Sequence, residues 1–285
     1  MRAFVTACGG FVLLTTLLLV AFLGKTGIVG IAEVGLGQLL SGTHWKPEAA
    51  IYGGLPLMMG TFVSAAGAAV VGAVPAVLAA LWVTEFAPKG VRGAYRRVME
   101  VSAALPSVVY GWLALVYLVP VVASVARATH GPDVEVGGEG LASAAVLLGV
   151  MIAPTVLLLS VDALSRVPNN LRDASAALGA SPWQTAFRVV MPYAWRGLLI
   201  AVFFGFARAA GETMAVQMVI GGARKIPANA FQPTTTISTQ IVMDMQNSRP
   251  GTPANDALFS MSLLLLVLSA GVVLVTRWLS RARRA

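Results

Sequence analysis

Of 285 residues, one is cysteine, two are histidine and twelve are acidic. The lone Cys8 excludes an internal disulfide framework and any cysteine-based metal site within the chain. His44 and His130 have no ligand partners at metal-site spacings, so neither is expected to hold a metal. Charge is scarce altogether: 11% of residues are charged and 57% hydrophobic, where a soluble domain carries about 25% charged residues. There is no G-x-S-x-G elbow and no H-E-x-x-H pair. Gly24-Lys25-Thr26 comes nearest to a nucleotide-binding loop, but the glycine needed five positions earlier is Leu19, inside an apolar run. These absences argue against an enzyme, against ATP binding by this chain and against a resident cofactor. A net charge of +8 is spread over short loops without an aromatic-studded patch, which argues against a nucleic-acid partner.

What the chain has in quantity is long apolar runs, with a mean hydropathy of +0.80. A bilayer core of about 30 Å takes about 20 apolar residues per helix. Six windows meet that length, near 3–23, 57–83, 101–126, 142–164, 198–220 and 257–277. Period-two alternation is missing, which excludes a barrel. The expectation is an all-α polytopic membrane protein with six transmembrane helices in a lipid bilayer. The first run follows Arg2 and reaches Lys25 without an A-x-A cleavage site, so it reads as a retained helix.

The loops orient the bundle. With the N-terminus inside, inward segments hold thirteen Lys and Arg residues and outward segments six, and an excess of basic residues marks the cytoplasmic side. Both termini are therefore expected in the cytoplasm, with loops 24–56, 127–141 and 221–256 facing outward and 84–100 and 165–197 facing inward. Pro75, Pro106, Pro120 and Pro154 fall in or beside spans and are expected to kink them. Border carboxylates such as Glu85, Glu100 and Asp162 are expected to face water or to pair with Arg92 or Arg96.

The inward loop 165–197 contains DASAALGASPWQTAFRVVMP, from Asp173 to Pro192. Asn170 is read as the cap of a first helix, with Asp173 near its positive end and Gly179 as its stop. Ser181, Pro182 and Gln184 spell a capping box for a second helix. Trp183 and Phe187 share a face of that helix, and Pro192 ends or bends it. Two readings fit these residues: a docking elbow with an aromatic knob, or an amphipathic elbow on lipid headgroups.

The spacing D-A-S-x-x-L-G, nine residues, V-x-M-P resembles the EAA loop of ATP-binding-cassette importer permeases, with Asp173 for the usual Glu and Ser175 for the second Ala. Two further segments, LPSVVYG at Leu105–Gly111 and ARAAGETMAVQMVIG at Ala207–Gly221, resemble the phosphate-importer permeases of the PstC type. The resemblance covers most of residues 57–277 and implies a type I ABC importer permease core, MetI-like. Residues 1–56 would add an N-terminal helix and first extracytoplasmic loop, the latter carrying Trp45 and Tyr52, and 278–285 a basic cytoplasmic tail. It also implies partners: a second, PstA-like permease subunit, two PstB-like ATPase subunits, and a PstS-like extracytoplasmic protein that delivers inorganic phosphate. On this resemblance Asp173, Ala174, Gly179, Trp183, Phe187 and Pro192 belong to the ATPase-docking loop. The location it implies is a bacterial cytoplasmic (inner) membrane.

In the fifth apolar run, Arg208 and Glu212 are four apart and are expected on one face of a helix. Charges inside a bilayer cost at least ~2.5 kcal/mol each on insertion scales and usually line a pathway. The Arg208 guanidinium matches phosphate oxygens and cannot escape by deprotonation. Glu212 would accept a hydrogen bond from a protonated phosphate oxygen, which sulfate lacks; Thr213 adds a hydroxyl, and Gly211 would let a helix or ligand approach. The plainer reading is a self-neutralising ion pair. Three alternatives stay open: a PstA-type subunit, a permease for another oxyanion, and a self-contained secondary anion transporter. The last would show inverted repeats and its own coupling carboxylates.

Overall fold

The computed structural model describes residues 1–130 and 137–281. The His130 side chain and much of the expected basic tail, with Arg283 and Arg284, lie outside the described residues. Among the described residues, six helices are long and apolar enough to cross a membrane. The first is α1 (Arg2–Val34), which runs well past the expected limit of its apolar window. A short α2 (Leu36–Ser41) and a two-stranded hairpin, β1 (Trp45–Lys46) with β2 (Ile51–Tyr52), follow it.

The second span is α3 (Leu55–Ala68) continued by α4 (Val74–Glu85). The expected inward loop 84–100 is largely helical, as α5 (Lys89–Ala104). Pro106 separates it from the third span, α6 (Ser107–Leu113) and α7 (Val119–His130). The fourth is α8 (Leu141–Ser165). The elbow that follows contains α9 (Asn169–Ala177) and α10 (Pro182–Thr185), which leads into α11 (Met191–Ala210). Short α12 (Met214–Gln217) and α13 (Ile237–Met245) precede the last span, α14 (Pro253–Arg281).

Three of the proline sites share one solution. A π turn spans Ala69–Ala73, Ala114–Leu118 and Ala186–Val190, each ending two residues before Pro75, Pro120 and Pro192. A helical proline has no N–H and its ring strikes the carbonyl four residues back, so a widened turn lets the helix continue. Of the two outcomes expected at Pro192, an end or a bend, the end does not occur; α10 runs through the π turn into α11. Pro154 sits inside α8 without such a turn.

The core gathers around α8, which packs against α3, α4, α5 and α11. Its apolar window is 56% buried, more than that of any other span. This explains its uniform hydrophobicity: a helix surrounded by others has no polar face. Small residues set the closest approaches, as where Gly72 meets the Gly149 backbone. The first helix joins through α14: Ser260 Oγ donates to the Gly27 carbonyl at 2.9 Å, and Phe22 meets Phe259 edge-on at 5.7 Å. Trp45 and Tyr52 pack edge-on at 5.9 Å in a second cluster with Leu57, Ile237 and Met261.

An outer network ties the hairpin to α13. Trp45 Nε1 and Arg224 Nη2 both donate to the Asp244 carboxylate, at 2.7 and 2.6 Å, and Arg224 Nη1 reaches Glu48 at 3.3 Å. A backbone hydrogen bond, and then Arg224, hold the exposed Glu48 carboxyl below its usual range. His44 is exposed on the same loop, with Thr43 Oγ1 at 2.9 Å from its Nδ1. Among the described residues no cluster of His, Cys, Asp and Glu could hold a metal.

Candidate functional site

The structure separates Arg208 from Glu212. α11 ends at Ala210, with Arg208 in its last turn, and Glu212 lies beyond the helix. The expected fifth span through residue 220 is thus wrong in both limits: the continuous span is Pro182–Ala210. Gly211 and Glu212 donate backbone bonds back to Ala207 and Ala209, and Thr213, at φ −120°, starts the next turn. Gly has the lowest helix propensity after Pro, and Thr is a poor helix former, so the break falls where the sequence weakens the helix.

Arg208 Nη1 donates to Thr155 Oγ1 at 2.7 Å. No ion pair holds it among the described residues. The expected self-neutralising pair is therefore absent. Glu212 turns instead to the following turn, accepting from the Ala215 N–H at 3.3 Å, while its carbonyl accepts from Ser238 Oγ at 2.8 Å. Thr213 Oγ1 stays local, near the Gly211 carbonyl at 3.4 Å. A β-carbon at Gly211 would meet nothing closer than its own helix carbonyls at 3.6 and 3.9 Å, so no other helix makes the expected close approach there.

Depth follows from α8. Thr155 is fourteen residues from Leu141 and ten from Ser165, or about 21 and 15 Å along the axis at 1.5 Å per residue. Arg208 is thus held level with the middle of the α8 span. Irregular backbone at that depth survives only when protein or a water-lined cavity satisfies it. Here the protein does so: Ala215, Val216, Val219 and Ile220 are buried, and Thr234 donates its N–H to the Ile220 carbonyl at 3.0 Å. Gly221 and Gly222, at φ +86° and +67°, turn the chain back into a buried run of hydroxyls from Thr234 to Thr239.

At the other end of α11, the elbow is built nearly as its residues spell. Gly179 adopts φ +80°, and its N–H and that of Ala180 return to Ala176 and Ser175, a Schellman stop. The Ser181–Gln184 capping box is present in both directions, at 3.3 and 2.9 Å. Asn170 is not the cap: the helix starts from Pro168 with no side-chain cap, and Asp173 lies beyond the first turn. The aromatic face forms, with Trp183 and Phe187 centroids 4.4 Å apart and Phe86 5.7 Å from Trp183. Trp183 is 63% exposed and Leu178 89% exposed, so the knob points out of the fold. Asp173 and Ala174 are also exposed, as is Pro192.

Sequence reasoning missed several partners. Thr155 supports Arg208, and its signal was a hydroxyl directly after an in-span proline. Ser238 holds the Glu212 carbonyl from a hydroxyl-rich stretch expected to be loop. Glu85 pairs with Arg172, its Oε1 2.8 Å from Nη2, and not with Arg92 or Arg96. The Arg96–Glu100 pair does form, at 2.8 Å.

A six-span helical bundle with a broken fifth segment and a two-helix elbow leading into it has the architecture of a type I ABC importer permease. The chain belongs to the binding-protein-dependent transport system inner membrane component family, which it matches over residues 76–285. It is 36% identical to the probable ABC transporter permease protein YqgH of Bacillus subtilis, over 99% of this chain and 91% of that one. It is 31% identical to the phosphate transport system permease protein PstC of Haemophilus influenzae, over 85% of this chain and 80% of its relative. PstC 1 of Mycobacterium tuberculosis is 36% identical over 71% of this chain and 64% of its own length. Among solved structures, a chain of the inward-facing MetNI methionine ABC transporter superposes with a TM-score of 0.54 over 80% of this chain and 92% of that chain, at 22% identity. That likeness concerns the fold. The protein is thus a multi-pass inner-membrane transport permease.

Proposed function

We propose that this chain forms half of the translocation pathway of an ATP-driven inorganic phosphate importer. It pairs with a second, similar permease subunit, takes phosphate from an extracytoplasmic binding protein, and is driven by two ATPase subunits seated on the elbow at 165–197. Both termini lie in the cytoplasm. The observation that carries this reading is Arg208: a guanidinium level with the middle of the α8 span, anchored by Thr155 and not by a carboxylate. One bond to a hydroxyl leaves most of its donors for an oxyanion. The phosphate transport names of several relatives support the substrate class.

On this reading the two charged residues divide the work. Arg208 supplies the rigid fork that phosphate oxygens match. Glu212, oriented by its bond from Ala215, sits past the helix break, where its carboxylate can accept a proton-bearing phosphate oxygen. Asp173, Ala174, Gly179, Trp183, Phe187 and Pro192 form or flank the surface offered to the ATPase, with the Trp183 ring as the knob.

The test is binding-protein-dependent phosphate uptake into liposomes holding the assembled complex and ATP. Arg208→Ala should lower uptake by at least about tenfold while the ATPase still copurifies, and Arg208→Lys should fall between, because an ammonium keeps the charge and loses the fork. Uptake at the wild-type rate in Arg208→Ala would remove this residue from the pathway.

A further inference from the structure

The elbow is fastened to a helix that is remote in sequence. Arg172, in α9, donates from Nη2 and Nε to the two Glu85 oxygens at 2.8 and 3.1 Å. Its Nη1 also donates to the Val167 carbonyl at 2.6 Å, and Nη2 to the Leu164 carbonyl at 3.3 Å. One guanidinium therefore binds together the elbow, the end of α8 and the last residue of α4. The pair is well enclosed, with side-chain exposures of 21% for Arg172 and 11% for Glu85. Beside it, Phe86 packs on Trp183, a second contact from the same helix end to the elbow's knob.

The elbow has its own internal fastening. Ser175 and Thr185, one in each of its helices, share a buried hydrogen bond of 2.9 Å. With the Schellman stop and the capping box between them, the two helices are held to move together.

The far end of the second span meets the broken segment. The Ile237 N–H donates to Thr61 Oγ1 at 3.0 Å, and Gly60 lies so close to the Thr235 carbonyl that a β-carbon could not fit. From there Ser238 reaches the Glu212 carbonyl. The span α3–α4 thus touches the elbow at Glu85 and Phe86, and at Gly60 and Thr61 touches the segment that positions Glu212. A continuous helix is stiff enough to carry a displacement from one end to the other, and its π turn beside Pro75 is the natural place for it to bend.

We propose that Arg172 and Glu85 form the joint through which movement of the elbow enters the second span, making both positioning residues for transport. This rests on the reading that the elbow receives the ATPase. A bidentate, largely enclosed pair suits the task because it fixes direction as well as distance, which a single contact does not.

The experiment uses the whole reconstituted complex and measures phosphate moved per ATP hydrolysed for Glu85→Gln, Arg172→Lys and the exchanged pair Glu85→Arg with Arg172→Glu. Glu85→Gln is isosteric and guards against a folding failure of Arg172→Lys. Both single variants should copurify with the ATPase and hydrolyse ATP, with the transport ratio lowered on the order of tenfold, the upper range of measured coupling energies along packed networks. The exchanged pair should recover part of that loss, since it restores the ion pair but not the bonds to Leu164 and Val167. An unchanged ratio in both single variants would overturn the joint, as would failure of both to assemble, which would make the pair a folding brace. A wild-type chain that takes up phosphate without ATP, or purifies with no ATPase, would instead overturn the underlying reading and leave the joint without a driver.

Discussion

Gly179 shows how a single residue serves two demands. Its φ of +80° closes the first elbow helix, and nothing lies within 4 Å of a β-carbon built there. Alanine at this position should therefore cost about 1 kcal/mol of loop stability through backbone strain alone, with no clash inside this chain. Gly179→Leu adds bulk on an open face, and the expected result is loss of ATPase copurification. Retention with normal ATP-driven uptake would show that the partner does not approach Gly179. At Arg208, by contrast, the residue was legible in the sequence but its company was not. A charge in an apolar run signals function whatever its neighbours; which hydroxyl or carboxylate supports it depends on where α11 stops and how α8 rotates. Glu212 lay one turn from Arg208 on paper and beyond the helix end in space, because Gly211 and Thr213 do not sustain the helix.

Among the elements, the hairpin is held by the buried Trp45 and Tyr52 side chains, whereas α1 is seated along one face on α14. The apolar window of α1 is 0% buried within this chain, and its seat on α14 is made by Gly27, Gly30 and Ser260. A β-carbon at Gly30 would run into the Asp256 carbonyl, which is backbone and cannot step aside. Gly30→Leu should thus displace α1 while the five-span core stays folded. In a Cys8→Ser background, cross-linking between cysteines placed at 22 and 259 should then fall several-fold; undiminished cross-linking would show that α14 shifts to accommodate the leucine. The elbow was the most legible element, since capping boxes, glycine stops and i,i+4 aromatics are local signals. Its continuation through Pro192 was not, because a π turn is chosen by the helix as a whole: α11 has to stay packed on α8, and widening one turn is cheaper than abandoning that contact.

At the scale of the molecule, the proposed function makes this chain one wall of a pathway with one coupling surface, and other apolar faces stand uncovered. Large apolar side chains stand exposed along α6 and α7, including Trp112 at 55% and Tyr117 at 67%, and along most of α1. On the proposed reading, lipid and a second permease subunit cover such faces. Gentle detergent extraction should therefore recover this chain with a second permease and ATPase subunits, and phosphate uptake should require all of them plus the binding protein. Uptake by the isolated chain would favour a self-contained carrier. The part-buried Arg172–Glu85 pair belongs to this scale as well. Because both side chains keep some contact with solvent, breaking this pair from one side should cost less than breaking a fully buried one.

By itself the sequence determined the membrane class, the number of spans, the elbow's two helices and the charged residue that the bilayer must explain. Each of these rests on local physics: apolar run length, capping chemistry, and the cost of a charge in lipid. Only the tertiary structure decided that Arg208 rests on Thr155, that Glu212 belongs to a different turn, that Pro192 is bridged by a widened turn, and that Glu85 answers to Arg172. Those pairings join residues 53 and 87 positions apart, and such partners are selected by how helices pack and rotate against one another, which no local pattern records.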